Sequence, residues 1–297
     1  MGKASATQDA SSQQVQLMRD LINKYDAQLS ASAARRPEGK LNGSNTPSNG
    51  KHTVYLTGST GAFGVAVLEQ LVEREDVQKI ICLVRAKEAS SAALLERQVQ
   101  AYEGKGLGAA PAHSSKVEYH RGSPTDKNLT IPEVRLACSS LPVASGPRLM
   151  PSLFTLEEVT TIIHLAWSVN FNLSLSDLTP EIEGTMRLLQ HCQRTGARLL
   201  FASSVSVLMG APAEAGKAAE SASVRLIGED DAVPLEWAAF GYGVSAHSFL
   251  HSRVWPNLTP AAILLDFVEK QGSRRATDQP CRAQVQYRSC IDSLWTE

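Results

Sequence analysis

Cysteine is scarce in pattern rather than in number. The five cysteines, Cys82, Cys138, Cys192, Cys281 and Cys290, contain no C-x-x-C pair. Cys82 falls inside a stretch that reads as a buried strand, so a reducing compartment is expected rather than a disulfide scaffold. Charge of one sign is also lacking. With 29 Lys and Arg against 30 Asp and Glu the net charge is −1, which supplies neither a basic field for nucleic acid nor an acidic tail. Long apolar runs are missing as well: the N-terminus has no signal-peptide core and no stretch is long enough to span a bilayer. Met1-Gly2 opens like a myristoylation signal, but Ala6 stands where that signal needs Ser or Thr. These absences predict a cytoplasmic protein with no nucleic-acid or membrane partner. An apolar fraction of 43% over 297 residues is ample for a packed core, as one large domain or two small ones.

The chain is organised around His52 to Gly64, HTVYLTGSTGAFG. Val54, Tyr55 and Leu56 have the character of a buried parallel strand, and Gly58, Gly61 and Gly64 follow at once. Gly58 suits a tight turn, Gly61 lets a pyrophosphate approach the main chain, and Gly64 lets the next helix pack on the strand. Free N–H groups at that helix start would face phosphates. The spacing is G-x-x-G-x-x-G rather than G-x-G-x-x-G, so context matters. Val67, Leu68, Leu71 and Val72 form a helical stripe, and Val77 to Val84 is a second apolar strand, completing a βαβ unit.

An acidic residue about twenty positions past the glycines would bind a ribose 2′-hydroxyl. Arg85 stands there instead, with Lys87 and Arg97 nearby in sequence, so NADP is expected over NAD. Upstream, Val15, Met18, Ile22, Tyr25 and Leu29 make residues 13 to 29 an amphipathic helix, and residues 30 to 51 read as a flexible linker. Downstream, Val117 to His120 reads as a third strand, Val159 to Ala166 as a fourth, Ile182 to Cys192 as a helix and Ala197 to Ala202 as a fifth strand. The stretch between residues 120 and 157 has too little periodicity to assign. Alternating strands and helices predict an α/β fold with a doubly wound parallel sheet of the NAD(P)-binding Rossmann type.

The fifth strand runs into Ser203-Ser204-Val205-Ser206, and Gly241-Tyr242-Gly243 comes about forty residues later. Ligands in such sheets sit beyond the carboxyl ends of strands. A serine hydroxyl there can fix a carbonyl oxygen, and a tyrosine hydroxyl can deliver a proton as hydride reaches carbon. His247 and His251 are four apart, but no third ligand accompanies them, so no metal is expected.

Taken in order, LTGSTGAFG, IIHLAWSVNFNLSL, GTMRLLQ, LLFASSVSV and GYGVSA resemble the extended short-chain dehydrogenase/reductase superfamily. Within it, His164 to Asn172 (HLAWSVNFN) followed by Glu183-Gly-Thr185 is similar to the thioester reductase domain of carboxylic acid reductases, aminoadipate reductases and fungal nonribosomal-peptide-synthetase-like enzymes. The likeness covers roughly residues 13 to 245, and W-x-V-N-F is its most specific part. It implies hydride transfer from NADPH to an acyl thioester held on a phosphopantetheinyl carrier protein, here supplied in trans, within secondary metabolism. The product would be an aldehyde, or an alcohol after a second reduction. By position it implies Ser204, with Ser203 and Ser206 as alternatives, as carbonyl-orienting residue and Tyr242 as proton donor. Gly58, Thr60, Gly61, Phe63, Gly64 and Arg85 would hold NADPH, with Ala166 and Trp167 lining its groove and Tyr242 beside it.

Three departures from the pattern lead to an expectation of weakened turnover. Ala246 stands where the family motif Tyr-x-x-x-Lys has lysine, and Gly122-Ser123 stands where a Gly-Asp pair commonly contacts adenine. Residues 247 to 297 do not follow the family's substrate-binding subdomain, which is therefore expected to be incomplete, as in a truncated or frameshifted reading frame. The resulting division is 1–51 helix and linker, 52–250 reductase domain and 251–297 divergent tail. The rival readings are a catalytically dead nucleotide-binding remnant and another extended reductase, such as a nucleotide-sugar epimerase.

Overall fold

The structure is a computed structural model, and it describes residues 2–34, 50–126 and 159–202 apart from 169, 171 and 172. Elements run α1 (Gly2–Ala34), β1 (His52–Thr57), α2 (Ala62–Glu73), β2 (Val77–Val84), α3 (Ser91–Glu103), a 3₁₀ turn (Ala110–His113), β3 (Val117–Arg121), β4 (Thr161–His164), α4 (Thr179–Thr195) and β5 (Arg198–Phe201). The five strands lie in the order β3-β2-β1-β4-β5. The ladders β1–β2, β1–β4 and β2–β3 are all parallel. This is the expected Rossmann-type sheet. Two compact units divide the chain: Met1–Glu38 with Trp167–Met186 and Leu199–Glu297, and Gly39–Ala166 with Arg187–Arg198.

In the second unit the register aligns the carboxyl ends of four strands. Thr57 sits opposite Leu83 on one side and His164 on the other, while Val84 sits opposite Arg121. Ile80 to Val84 of β2 and Thr53 to Thr57 of β1 are buried throughout, as strands covered on both faces require. Cys82 is a free thiol in this layer, and burial pushes its pKa up to about 12, so it is inert at neutral pH.

The first unit contains α1, whose Val15, Met18, Tyr25 and Leu29 are buried at the helical spacing read from sequence. The helix is longer than the amphipathic stretch, because the Ala-rich residues on either side favour helix without adding apolar period. Lys24 of α1 lies 3.7 Å from Glu183 of α4. β4 is shorter than expected. Backbone bonds nonetheless continue past both of its ends, from Thr160 N–H to Thr53 O at 3.0 Å and from Leu165 N–H to Thr57 O at 3.2 Å. α3 was not anticipated, because its buried stripe, Leu94, Gln98 and Tyr102, has a glutamine at its centre. Ser90 caps it by accepting from Ala93 N–H at 3.3 Å. Among the described residues no helix is long and apolar enough to cross a membrane.

Candidate functional site at the carboxyl edge of β1

β1 ends at Thr57 and the chain turns at Gly58, whose φ of +77° lies in the left-handed region. A Cβ there would meet Ala166 N at 2.7 Å and the Leu165 carbonyl carbon at 2.8 Å, so β4's exit loop presses directly on the turn. Gly64 is tighter still. Its Cβ would lie 2.0 Å from Gly58 O, a backbone atom that cannot move aside. Gly61 N–H donates to Gly58 O at 2.9 Å, and Gly61 is the exposed N-cap of α2 with no side-chain capping bond. An α2 start left uncapped beside a loop that admits no Cβ fits a dinucleotide pyrophosphate. The glycines, Thr60 and Phe63 would hold it there.

The neighbouring strand ends set the rest of the edge. Thr57 Oγ1 lies 2.7 Å from His164 Nδ1 and accepts from Ala166 N–H at 3.2 Å, which ties β1 to the loop that carries Ala166. Arg85 is exposed and follows Val84 at the end of β2, at the same edge of the sheet as Gly58. At the end of β3, Gly122 N–H donates to Val84 O at 3.0 Å. Ser123 N–H donates to Asp126 Oδ2 at 2.8 Å, so a carboxylate does stand beside Gly122-Ser123, contributed from three residues further on. Spacing alone gave no sign of it.

The structure thus brings Gly58, Thr60, Gly61, Phe63, Gly64 and Ala166 together, with Arg85 just past the end of the adjacent strand. Trp167 follows Ala166 in sequence but belongs to the first unit, where its ring meets Phe201 edge-on at 5.7 Å and 80°. Its Nε1 is buried with no hydrogen-bond partner among the described residues. In the same unit Ser168 Oγ donates to Glu181 Oε1 at 2.5 Å, tying the tryptophan's neighbour to the start of α4. Ser204 and Tyr242, and with them Ser203, Ser206 and Ala246, lie outside the described residues. Sequence reasoning missed Gln98 and Lys105 at the loop, and Tyr102 away from it. Gln98 is fully buried against Ser59, Tyr102 Oη donates to Val65 O at 2.9 Å, and Lys105 Nζ donates to Thr60 O at 3.3 Å.

Residues 56–139 match the family model NAD_binding_4, described as Male sterility protein. An adenylate-forming reductase of Serpula lacrymans is 32% identical over 217 residues, covering 70% of this chain and 17% of that protein. A second, from Heterobasidion annosum, is 35% identical over 167 residues, 55% of this chain and 14% of the relative. The resemblance to thioester reductase domains is borne out. This thioester-reductase-like chain spans about a sixth of the length of the curated relatives it matches. Among solved structures, the terminal R domain from the myxalamid PKS-NRPS biosynthetic pathway is 24% identical, with 75% of this chain and 50% of that one covered and a TM-score of 0.48.

His164 gives this edge a pH signature. Complete burial lowers its pKa from 6.5 to about 4, so the imidazole beside Thr57 is neutral at pH 7. The unfolded chain takes up a proton below pH 6.5, whereas the folded chain does so only near pH 4. Stability is therefore fully present above pH 6.5 and falls as pH drops towards 4, by about 3 kcal/mol in all. Urea denaturation at pH 7 and pH 4.5 should show this loss in the native chain and a smaller one in His164→Asn. Equal losses in both would remove His164 as the cause.

Proposed function

We propose that this chain acts as an NADPH-dependent reductase of acyl thioesters carried on a phosphopantetheinyl protein supplied by another polypeptide. The observation that carries the reading is the uncapped α2 start, closed over by Gly58 and Gly64, with Arg85 at the next strand end. When bound, NADPH would supply hydride to the thioester carbonyl carbon. Ser204 would orient the carbonyl oxygen and Tyr242 would give it a proton. The hemithioacetal so formed collapses to an aldehyde and the free carrier thiol, and a second reduction would give the alcohol. Gly58, Thr60, Gly61, Phe63 and Gly64 would seat the pyrophosphate, Ala166 and Trp167 would line the groove, and Arg85 would meet the 2′-phosphate. The domain division 1–51, 52–250 and 251–297, the cytoplasmic setting and a role in secondary metabolism belong to this proposal. Ala246, in the place of the motif lysine, favours a second reading in which the nucleotide site persists and turnover does not.

NADPH oxidation is the assay, with an acyl thioester on a carrier protein, the matching free acid and a nucleotide sugar as substrates. Only the thioester should be consumed, with an aldehyde trapped as product. Turnover of the free acid or of the sugar would replace this reading. For the cofactor, a charge-assisted contact from Arg85 should make NADPH bind about tenfold more tightly than NADH. Calorimetry should show that preference lost in Arg85→Ala while NADH affinity stays the same. Equal affinities in the native chain would remove the assignment of Arg85.

A further inference from the structure

Gln98 is an anomaly in energetic terms. It sits in the buried stripe of α3 between Leu94 and Tyr102 and is fully buried, where an aliphatic side chain would cost no desolvation. Both ends of its amide are used on one residue. Nε2 donates to Ser59 O at 3.0 Å, and Oε1 accepts from Ser59 Oγ at 2.8 Å. Ser59 is itself fully buried and lies between Gly58 and Gly61, in the loop assigned to the pyrophosphate.

We propose that Gln98 is a positioning residue for the nucleotide: its two-point clasp on Ser59 fixes the orientation of the peptide that presents the Thr60 N–H group. A bond to the hydroxyl alone would hold the side chain and leave the peptide free to rotate. The bond to the Ser59 carbonyl holds that peptide plane, and with it the direction of the Thr60 N–H. Lys105, two residues past the end of α3, braces the loop again through Nζ on Thr60 O. Preorganised N–H groups bind an anion without a reordering cost at the moment of binding. Gln98 touches no ligand in this scheme and acts through Ser59. Its effect on affinity rests on the dinucleotide reading, whereas its effect on the loop does not.

The test compares Gln98→Met, which keeps the length of the side chain, with Ser59→Ala and Tyr102→Phe in the full chain. Hydrogen exchange at residues 59–62 is followed without nucleotide, and NADPH affinity is measured by calorimetry. Gln98→Met should speed exchange at Thr60 by about tenfold and weaken NADPH by a similar factor. Ser59→Ala keeps the carbonyl bond and should show a smaller change of the same kind. Tyr102→Phe removes a buried hydrogen bond of the same helix outside the loop. It should lower the melting temperature while leaving loop exchange and NADPH affinity as they were. Unchanged exchange at residues 59–62 in Gln98→Met would overturn the proposal, as would equal effects from Tyr102→Phe. A native chain that binds neither NADPH nor NADH would instead overturn the dinucleotide reading, and the exchange comparison would still decide the role of Gln98.

Discussion

Gly64→Ala should lose dinucleotide binding altogether and destabilise the fold by about 3 kcal/mol, the upper part of the range for overpacking a rigid site. The cause is local and severe. The added Cβ would stand 2.0 Å from Gly58 O and 2.8 Å from both the Gly58 carbonyl carbon and Ser59 Cα, all main-chain atoms of the same turn. No rotamer change relieves a clash with backbone, so either α2 shifts away from β1 or the turn opens. Both outcomes move the Gly61 N–H, which now donates to Gly58 O at 2.9 Å. Gly61→Ala is the control. Its nearest contact would be 3.2 Å from Gly58 O, so the melting temperature should fall far less, while an exposed methyl at the N-cap still obstructs a phosphate. Thermal melts and NADPH calorimetry on the two variants separate strain from obstruction. A Gly64→Ala chain with native stability and native affinity would mean that the loop is not built as described.

Ala246→Lys should raise thioester turnover by about 10²–10³, the loss typical of deleting one electrostatic group from an active site. In the pattern that this chain resembles, the lysine places a positive charge near the tyrosine hydroxyl, lowering the phenol pKa from about 10 and holding the nicotinamide ribose. Alanine does neither. The native chain should therefore bind NADPH and turn over slowly or not at all, since Ala246 brings no charge to assist proton transfer. Single-turnover NADPH oxidation with an acyl-carrier thioester, run on both chains, gives the answer. Robust turnover by the native chain would point to another proton route, with Ser245 and His247 the first residues to replace. If neither chain turns over, divergence of residues 247–297 from the family's substrate subdomain is the larger defect.

How far the sequence discloses this arrangement depends on whether the relevant force is local. β2, from Val77 to Val84, is legible because its Ile80 to Val84 part is the unbroken apolar run that a strand covered on both faces needs. Gly58 and Gly64 were legible for a similar reason. A positive φ and a backbone contact are demands that glycine alone meets, so the residue type itself carries the message. α3 stayed hidden because Gln98 breaks the apolar stripe, and the reason it does so lies 39 residues away in Ser59. Lys105 was equally unreadable, since its partner is the Thr60 carbonyl and a backbone acceptor leaves no trace in sequence. Asp126 is an intermediate case. The carboxylate near Gly122-Ser123 reaches the expected neighbourhood through a turn of three residues, which fixed spacing from the glycine would pass over. Ser204 and Tyr242 lie outside the described residues, and the order of motifs alone joins them to this edge.

The seat of the dinucleotide is tested most directly by residue-resolved amide hydrogen exchange on the native chain with and without saturating NADPH. Slower exchange is expected at the Gly61 to Gly64 amides, at the start of α2, and around Ala166 in the exit loop of β4. The outer face of β3, at Glu118, should exchange as before. Saturating NADPH that leaves the Gly61 to Gly64 amides unprotected, or protects only residues remote from β1, would contradict the assignment of this loop as the pyrophosphate site.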